Sequence, residues 1–183
     1  MLDKSGTDRR ARKSILALWQ ALFDLMQTTD WAEISVQMIA DRADVARSTF
    51  YAHFQTKQDL LDAGFAMLGG NVQTKVLAMP QRAGHLATLD WLVAHVGNSR
   101  EFMQRAKGTA AGQIIQGRFR QTVAALLADE LALARRAADP RSMVFVVGGI
   151  FAVVEDWTAK GCPGDPDSLA QDLAVSVLAY IPA

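Results

Sequence analysis

The chain has 183 residues, with 19 Lys and Arg against 19 Asp and Glu, so its formal net charge is zero. Half of it is hydrophobic and 21% is charged, which fits one large or two small domains with a packed core and excludes a disordered chain. A neutral chain exerts little long-range pull on phosphate, and a single cysteine, Cys162, excludes an internal disulfide and fits a reducing compartment.

Nearly every segment reads as helix. No period-2 strand or Asn-Gly hairpin signal occurs, and the five prolines fall near proposed helix ends. The first helix is expected from about Arg9 to Thr28, because Ile15, Leu18, Trp19, Leu22, Leu25 and Met26 recur at steps of three and four. Ser35 caps a second helix reaching about Arg42, with Met38, Ile39 and Ala40 facing inward. Ala43-Asp44 makes a tight turn, and a third short helix covers about Ala46 to His53. Thr56 opens a fourth helix in a capping box with Asp59. Leu60, Leu61, Phe65, Leu68, Val72, Val76 and Leu77 continue its apolar face. Gly69-Gly70 in its middle is expected to weaken or bend it.

Further helices are expected at His85 to Val96, Ser99 to Lys107, Ala110 to Ala138, Pro140 to Lys160 and Pro166 to Tyr180. Asn98, three before Glu101, signals the start of the second of these. Asp139-Pro140 and Asp165-Pro166 place an acidic cap before a proline at the starts of the last two. The apolar run Met143 to Val154 is shorter than the ~20 residues that span a bilayer, so it reads as a buried helix. Met1 to Lys13 is polar and is followed by no apolar stretch of the secretion-signal kind. The expectation is a cytoplasmic protein with no membrane partner.

The stretch from Ile34 to Leu61, ISVQMIADRADVARSTFYAHFQTKQDLL, is a short helix, a tight turn and another short helix, braced by the long first helix. That is helix-turn-helix geometry, in which the second short helix enters a DNA major groove. Val45, Phe50 and Phe54 supply its inward face. The outward face is Arg47, Ser48, Thr49, Tyr51 and His53, with no acid among them. Arg pairs with guanine O6 and N7, Thr meets a thymine methyl, and Tyr and His donate to phosphate. Lys4, Arg9, Arg10, Arg12 and Lys13 outnumber Asp3 and Asp8 near the start, which fits a basic arm along the DNA. Lys57, beside the free N–H groups opening the fourth helix, completes a phosphate clamp.

Arg9 to about Phe65 resembles the DNA-binding domain of the TetR (tetracycline-repressor-like) family of bacterial transcriptional regulators. The run IADRADVARSTFYAHFQTKQDLL carries the resemblance: an Ile-Ala pair, a Val after the turn, an aromatic-rich recognition helix, then Lys and Leu-Leu. Asp44 stands where the family has Gly, and Ala46 stands where Ser or Thr caps the recognition helix. The resemblance implies DNA contacts at Ser35, Gln37, Arg47, Ser48, Thr49, Tyr51, His53 and Lys57. The run MVFVVGGIFAVVEDWTAKGCPGDPDSLAQDLA resembles the family's last two helices, which pair with their copies. It implies a dimer interface with Gly148, Gly149, Ala152, Trp157, Leu173 and Val177, and an effector site among the middle helices with Trp91, His95, Phe102, Met103 and Phe119 as candidates.

The expected fold is therefore all-α, with a helix-turn-helix domain at 1–55 joined by a shared helix to a helical effector-binding and dimerisation domain at 56–183. The expected function is a DNA-binding regulator, a repressor that binds a palindromic operator as a homodimer and is released by a small, mainly apolar effector. The alternative is a ligand-independent architectural or partner-controlled DNA-binding protein. No nucleophile-base arrangement, phosphate loop or metal-ligand spacing appears, so neither an enzyme, a metal site nor a cofactor is expected.

Overall fold

The computed structural model describes residues 4–79, 84–106 and 108–181, without the side chains of 4–10, Leu77, Met103 and Ala106. Among the described residues the regular structure is helical: α1 (Lys4–Leu25), α2 (Val36–Arg42), α3 (Arg47–Tyr51), α4 (Lys57–Ala78), α5 (Ala87–Asn98), α6 (Arg100–Ala106), α7 (Ala110–Leu133), α8 (Pro140–Ala159) and α9 (Pro166–Tyr180). The all-α expectation holds. The chain divides into two compact units, one holding Met1–Met67 and Arg105–Ile115, the other Leu68–Gln104 and Gln116–Ala183. The division passes through α4, which contributes to both.

In the first unit α2 packs on α1 and on α3. Its core is Leu18, Ala21, Leu22 and Met26 of α1, Ile34, Ile39 and Ala40 around α2, Phe50 of α3, and Leu60, Leu61 and Phe65 of α4. α1 begins earlier than the apolar spacing suggests, so the expected basic arm is helical from Lys4. The side chains of Lys4, Arg9 and Arg10 lie outside the described residues, and Arg12 and Lys13 are exposed. α1 stops at Leu25, where the Leu25 carbonyl accepts from the amides of Thr28 and Thr29 in a turn. A tight joint lies between Trp19 and Gly64: a methyl group on Gly64 would collide with the Trp19 indole.

In the second unit α5 packs against α8 and α9, which also touch each other. α5 starts at Ala87 rather than His85, and its cap position, Leu86, has no side-chain acceptor. Glu130 of α7 fills that role. Its carboxylate, 3% exposed, accepts from the amides of Ala87 at 2.6 Å and Thr88 at 3.0 Å. A negative charge at a helix N-terminus satisfies orphan donors and the helix dipole together. Asn98 does not cap α6; it ends α5, and Ser99 closes that helix.

α7 ends at Leu133, short of the expected Ala138, because Arg135 turns left-handed at φ 57°. The Arg136 amide then reaches back to the Leu131 carbonyl at 2.9 Å, a C-terminal closure of the Schellman type. The Arg136 guanidinium donates to the carbonyls of Leu178 and Ile181 at the end of α9. α8 and α9 open as expected, with the carboxylates of Asp139 and Asp165 accepting from backbone amides of the first turn. Those hydrogen bonds, led by the Ser142 and Ser168 side chains, hold both carboxyls below the usual range. α4 runs unbroken through Gly69-Gly70, so the expected weak point does not interrupt the helix.

Candidate nucleic-acid interface

The interface is built from the first unit. Ser35 is extended, and its hydroxyl accepts from the Met38 amide at 3.2 Å, starting α2 one residue later. Gln37 is exposed on the first turn, and its amide donates to Asp41 at 2.7 Å. The turn to α3 goes through Asp44, the only residue of that turn with positive φ, at 52°. Asp tolerates this region better than most residues, so the turn forms without the family's glycine. Ala46 occupies the cap of α3 with no side-chain hydrogen bond, as its missing hydroxyl implied.

Phe50 anchors α3, with none of its surface exposed. Its ring meets Tyr51 edge-on at 5.5 Å and Phe54 at 5.8 Å. Val45 and Phe54 are half-buried. With that face held down, Arg47, Ser48, Tyr51 and His53 stand exposed and Thr49 half-exposed on the other. The Arg47 guanidinium donates to the Tyr51 hydroxyl at 3.1 Å. The expected DNA-facing group is thus brought together on one side of a very short helix.

Lys57 departs from a free phosphate clamp. Its ammonium donates to the carbonyls of Trp31 and Ile34, the latter at 2.7 Å. It also lies 4.7 Å from the centre of the Trp31 ring, a cation–π distance. Burial pushes its pKa below the usual lysine value. Two of its three donors therefore serve the α1–α2 loop, which Ser35 leaves to begin α2. Sequence reasoning missed this role for Trp31, because Lys57 lies 26 residues further along the chain and a tryptophan in an otherwise polar turn was the only local signal. The capping box beside it forms as expected: the Asp59 amide donates to Thr56 Oγ1 at 3.1 Å, and the Thr56 amide to Asp59 at 2.9 Å.

In the second unit three of the five effector candidates come together. Trp91 stacks on His95 at 5.0 Å, and Phe119 lies 5.3 Å from His95 and 5.8 Å from Trp91. Phe151, not among the candidates, meets Phe119 edge-on at 6.0 Å and carries the Arg120 guanidinium 4.8 Å from its ring centre. Burial holds the His95 pKa below the usual histidine value. Phe102 is half-buried on α6. Met103 has its side chain outside the described residues. Among the described residues no group of three or more His, Cys, Asp and Glu could hold a metal ion.

The dimer candidates split. Gly149 and Ala152 are exposed, and Gly148 is half-exposed. Trp157, Leu173 and Val177 are buried within the chain itself, at 7%, 6% and 3% exposure. Trp157 faces α5, where Gly97 leaves room for its ring, and its indole donates to the Pro163 carbonyl at 2.9 Å. Leu173 and Val177 lie on the buried side of α9, the helix that packs on α5. The outward faces of α8 and α9 instead present Val144, Phe145, Val153, Val175 and Tyr180. Phe145 and Tyr180 hold their rings 4.8 Å apart. The apolar run of α8 is therefore buried on one side only. α8 is long and apolar enough to cross a membrane by length and composition.

Residues 19–63 match the family model of bacterial regulatory proteins, tetR family. Comparison with curated protein sequences gives no significant match. Solved structures match over nearly the whole chain. NalD, described as the secondary repressor of the MexAB-OprM multidrug efflux pump in Pseudomonas aeruginosa, is 17% identical. The match covers 94% of this chain and 97% of that one, with a TM-score of 0.58. A TetR transcriptional regulator from Streptococcus agalactiae is 19% identical, covering 93% and 97%, with a TM-score of 0.59. The fatty acid degradation regulator FadR from Bacillus halodurans is 16% identical, covering 90% and 94%, with a TM-score of 0.59. At these identities the likeness is one of fold.

Proposed function

We propose that this chain, whose residues 19–63 match the family model of bacterial regulatory proteins, tetR family, is a DNA-binding transcriptional regulator that represses transcription from a palindromic operator as a homodimer and is released by a small, mainly apolar effector. The observation that carries the reading is the outward side of α3. Arg47, Ser48, Tyr51 and His53 stand exposed there over the buried Phe50, all with phosphate or base-edge chemistry. Thr49, Ser35 and Gln37 flank them. Two such helices related by a twofold axis would meet successive major grooves about 34–36 Å apart.

The homodimer is supported by the outward apolar side of α8 and α9. Val144 and Phe145 are 76% and 64% exposed, and Gly148, Gly149 and Ala152 leave room for a close helix approach. Burying that face against a second copy accounts for an apolar helix in a cytoplasmic protein. Repression is supported by the neighbour NalD, described as a repressor. The effector is supported by the ring cluster of Trp91, His95, Phe119 and Phe151, apolar and planar, with Arg120 at its edge. The mutual stacking of those rings favours a second reading, in which they are core and control comes from a protein partner.

The test is recovery of fragments of the source genome bound by the purified protein. The expected result is a shared inverted repeat, bound with an affinity that falls steeply with salt, by about 0.9 of a decade per decade of salt for each phosphate neutralised. Fragments without an inverted repeat would overturn the homodimeric operator reading. A panel of apolar molecules that never loosens the complex would favour the second reading.

A further inference from the structure

A contact between outward side chains of α3 joins its first residue to its last. Arg47 and Tyr51 stand one helical turn apart, so their side chains meet on one face. The Arg47 guanidinium donates to the Tyr51 hydroxyl at 3.1 Å, and its central carbon lies 5.3 Å from the ring centre. Among the described residues Arg47 has no carboxylate partner, unlike Arg42, which pairs with Asp24 at 3.4 Å. The chain of support runs inward: Tyr51 leans edge-on against Phe50, and Phe50 is completely buried. An exposed arginine ordinarily spreads over many rotamers. This one is tied to a ring that the core itself orients.

The hydrogen-bond inventory fixes what each group has left. A phenol has one O–H to give and accepts through its lone pairs, and a guanidinium has five N–H donors and accepts nothing. Arg47 must therefore be the donor between them. Tyr51 keeps its O–H for an outside acceptor, and phosphate offers acceptors only. Arg47 keeps four N–H donors, enough for the two parallel bonds to guanine O6 and N7.

We propose that Arg47 and Tyr51 form a single reading unit, in which Tyr51, held by a phosphate, positions the Arg47 guanidinium for a guanine edge. Tyr51 is then a positioning residue for base choice as well as a backbone contact. The inference rests on the reading that α3 enters the major groove. It differs from a plain phosphate contact in one observable: loss of the Tyr51 hydroxyl would alter base preference at the position Arg47 reads.

The experiment is selection of duplexes from a library with a random core, using the full chain and its Tyr51→Phe, Arg47→Ala and Arg47→Lys variants. Circular dichroism checks that each stays folded. The expected wild-type result is a guanine in each half-site whose preference vanishes in Arg47→Ala. Arg47→Lys, which keeps the charge and loses the planar fork, should lose that preference too. Tyr51→Phe should weaken the preference at that same position by about fivefold to a hundredfold, the range a bidentate guanine contact carries, and leave the others in place. If Tyr51→Phe lowers affinity equally for all sequences, the tyrosine is a phosphate contact only and the proposal falls. If the wild type enriches duplexes but Arg47→Ala changes no position, it falls as well. If the wild type enriches no duplex at all, the operator reading fails first and takes this inference with it.

Discussion

The ammonium of Lys57 donates to the carbonyl of Ile34 at 2.7 Å while lying over the Trp31 ring. This ties the first residue of α4 to the loop that launches α2. Hydrogen bonds to charged groups contribute about 1.5–3 kcal/mol each. Lys57→Met keeps the apolar stem and removes the donors. It is expected to lower stability by about 1–3 kcal/mol, read by urea unfolding followed by circular dichroism. Unchanged stability, with only a shallower salt dependence of DNA binding, would return Lys57 to a pure phosphate role.

Gly64 is expected to tolerate no side chain while Trp19 keeps its place, because any Cβ there meets the indole. Gly64→Ala should cost about 1–3 kcal/mol, the usual range for overpacking. Trp19→Leu in the same chain should recover part of that loss, since it frees the space and removes an indole N–H that has no hydrogen-bond partner among the described residues. Additive losses in a double-mutant cycle would show that the joint is not where the strain falls.

Glu130→Leu leaves the amides of Ala87 and Thr88 without their acceptor. A loss of about 2–3 kcal/mol is expected from the charged hydrogen bonds removed. Native-state hydrogen exchange should quicken at those two amides, and exchange at α2 should stay as it was. Uniform quickening across the chain would mean that Glu130 supports the whole fold and not this helix end.

The Glu130 cap also marks where reading the sequence reaches its limit. Signals carried by neighbours in the chain were legible: the Ser35 cap, the Asp44 turn, the Thr56–Asp59 box, and the Asp-Pro starts of α8 and α9. Each depends on atoms within four residues of one another. Glu130 caps a helix more than forty residues away, and an acid between Asp129 and Leu131 looks like any solvated position. The inward sides of α8 and α9 were not legible for another reason. Both helices are apolar on two sides, so spacing could not say which side holds Trp157, Leu173 and Val177. The α3 residues expected to meet DNA lie on its outer side because α3 is anchored by one aromatic, Phe50, whose register fixes the rest.

His95 is expected to make stability depend on pH. Burial holds its folded pKa below the unfolded value of about 6.5. The unfolded chain then takes up a proton first as pH falls, so stability is fully present above about pH 6.5 and is lost as pH drops through the folded pKa. The urea midpoint should fall between pH 7.5 and 5. In His95→Phe, which keeps an aromatic in the stack, the slope should flatten. An equal slope in both proteins would place the titration elsewhere.

Val144→Glu with Phe145→Glu tests the outward face of α8. A carboxylate trapped in a dry interface costs several kcal/mol. Dimer affinity is therefore expected to fall by about a hundredfold or more, equivalent to about 3 kcal/mol, with helical content unchanged. Sedimentation equilibrium reads this directly. A dimer of undiminished strength would move the contact to another surface.

The four tryptophans are divided evenly, Trp19 and Trp31 in the first unit and Trp91 and Trp157 in the second. Two of them touch a group that alters indole emission. Trp31 lies under the Lys57 ammonium, and Trp91 stacks on His95. Light emission is therefore a local witness in each half of the molecule. With the other tryptophans replaced by phenylalanine, Trp31 reports on the loop that leads into the helix-turn-helix, and Trp91 reports on the ring stack. The chain can then be followed during binding by its own chromophores, with no label attached to the surfaces under test.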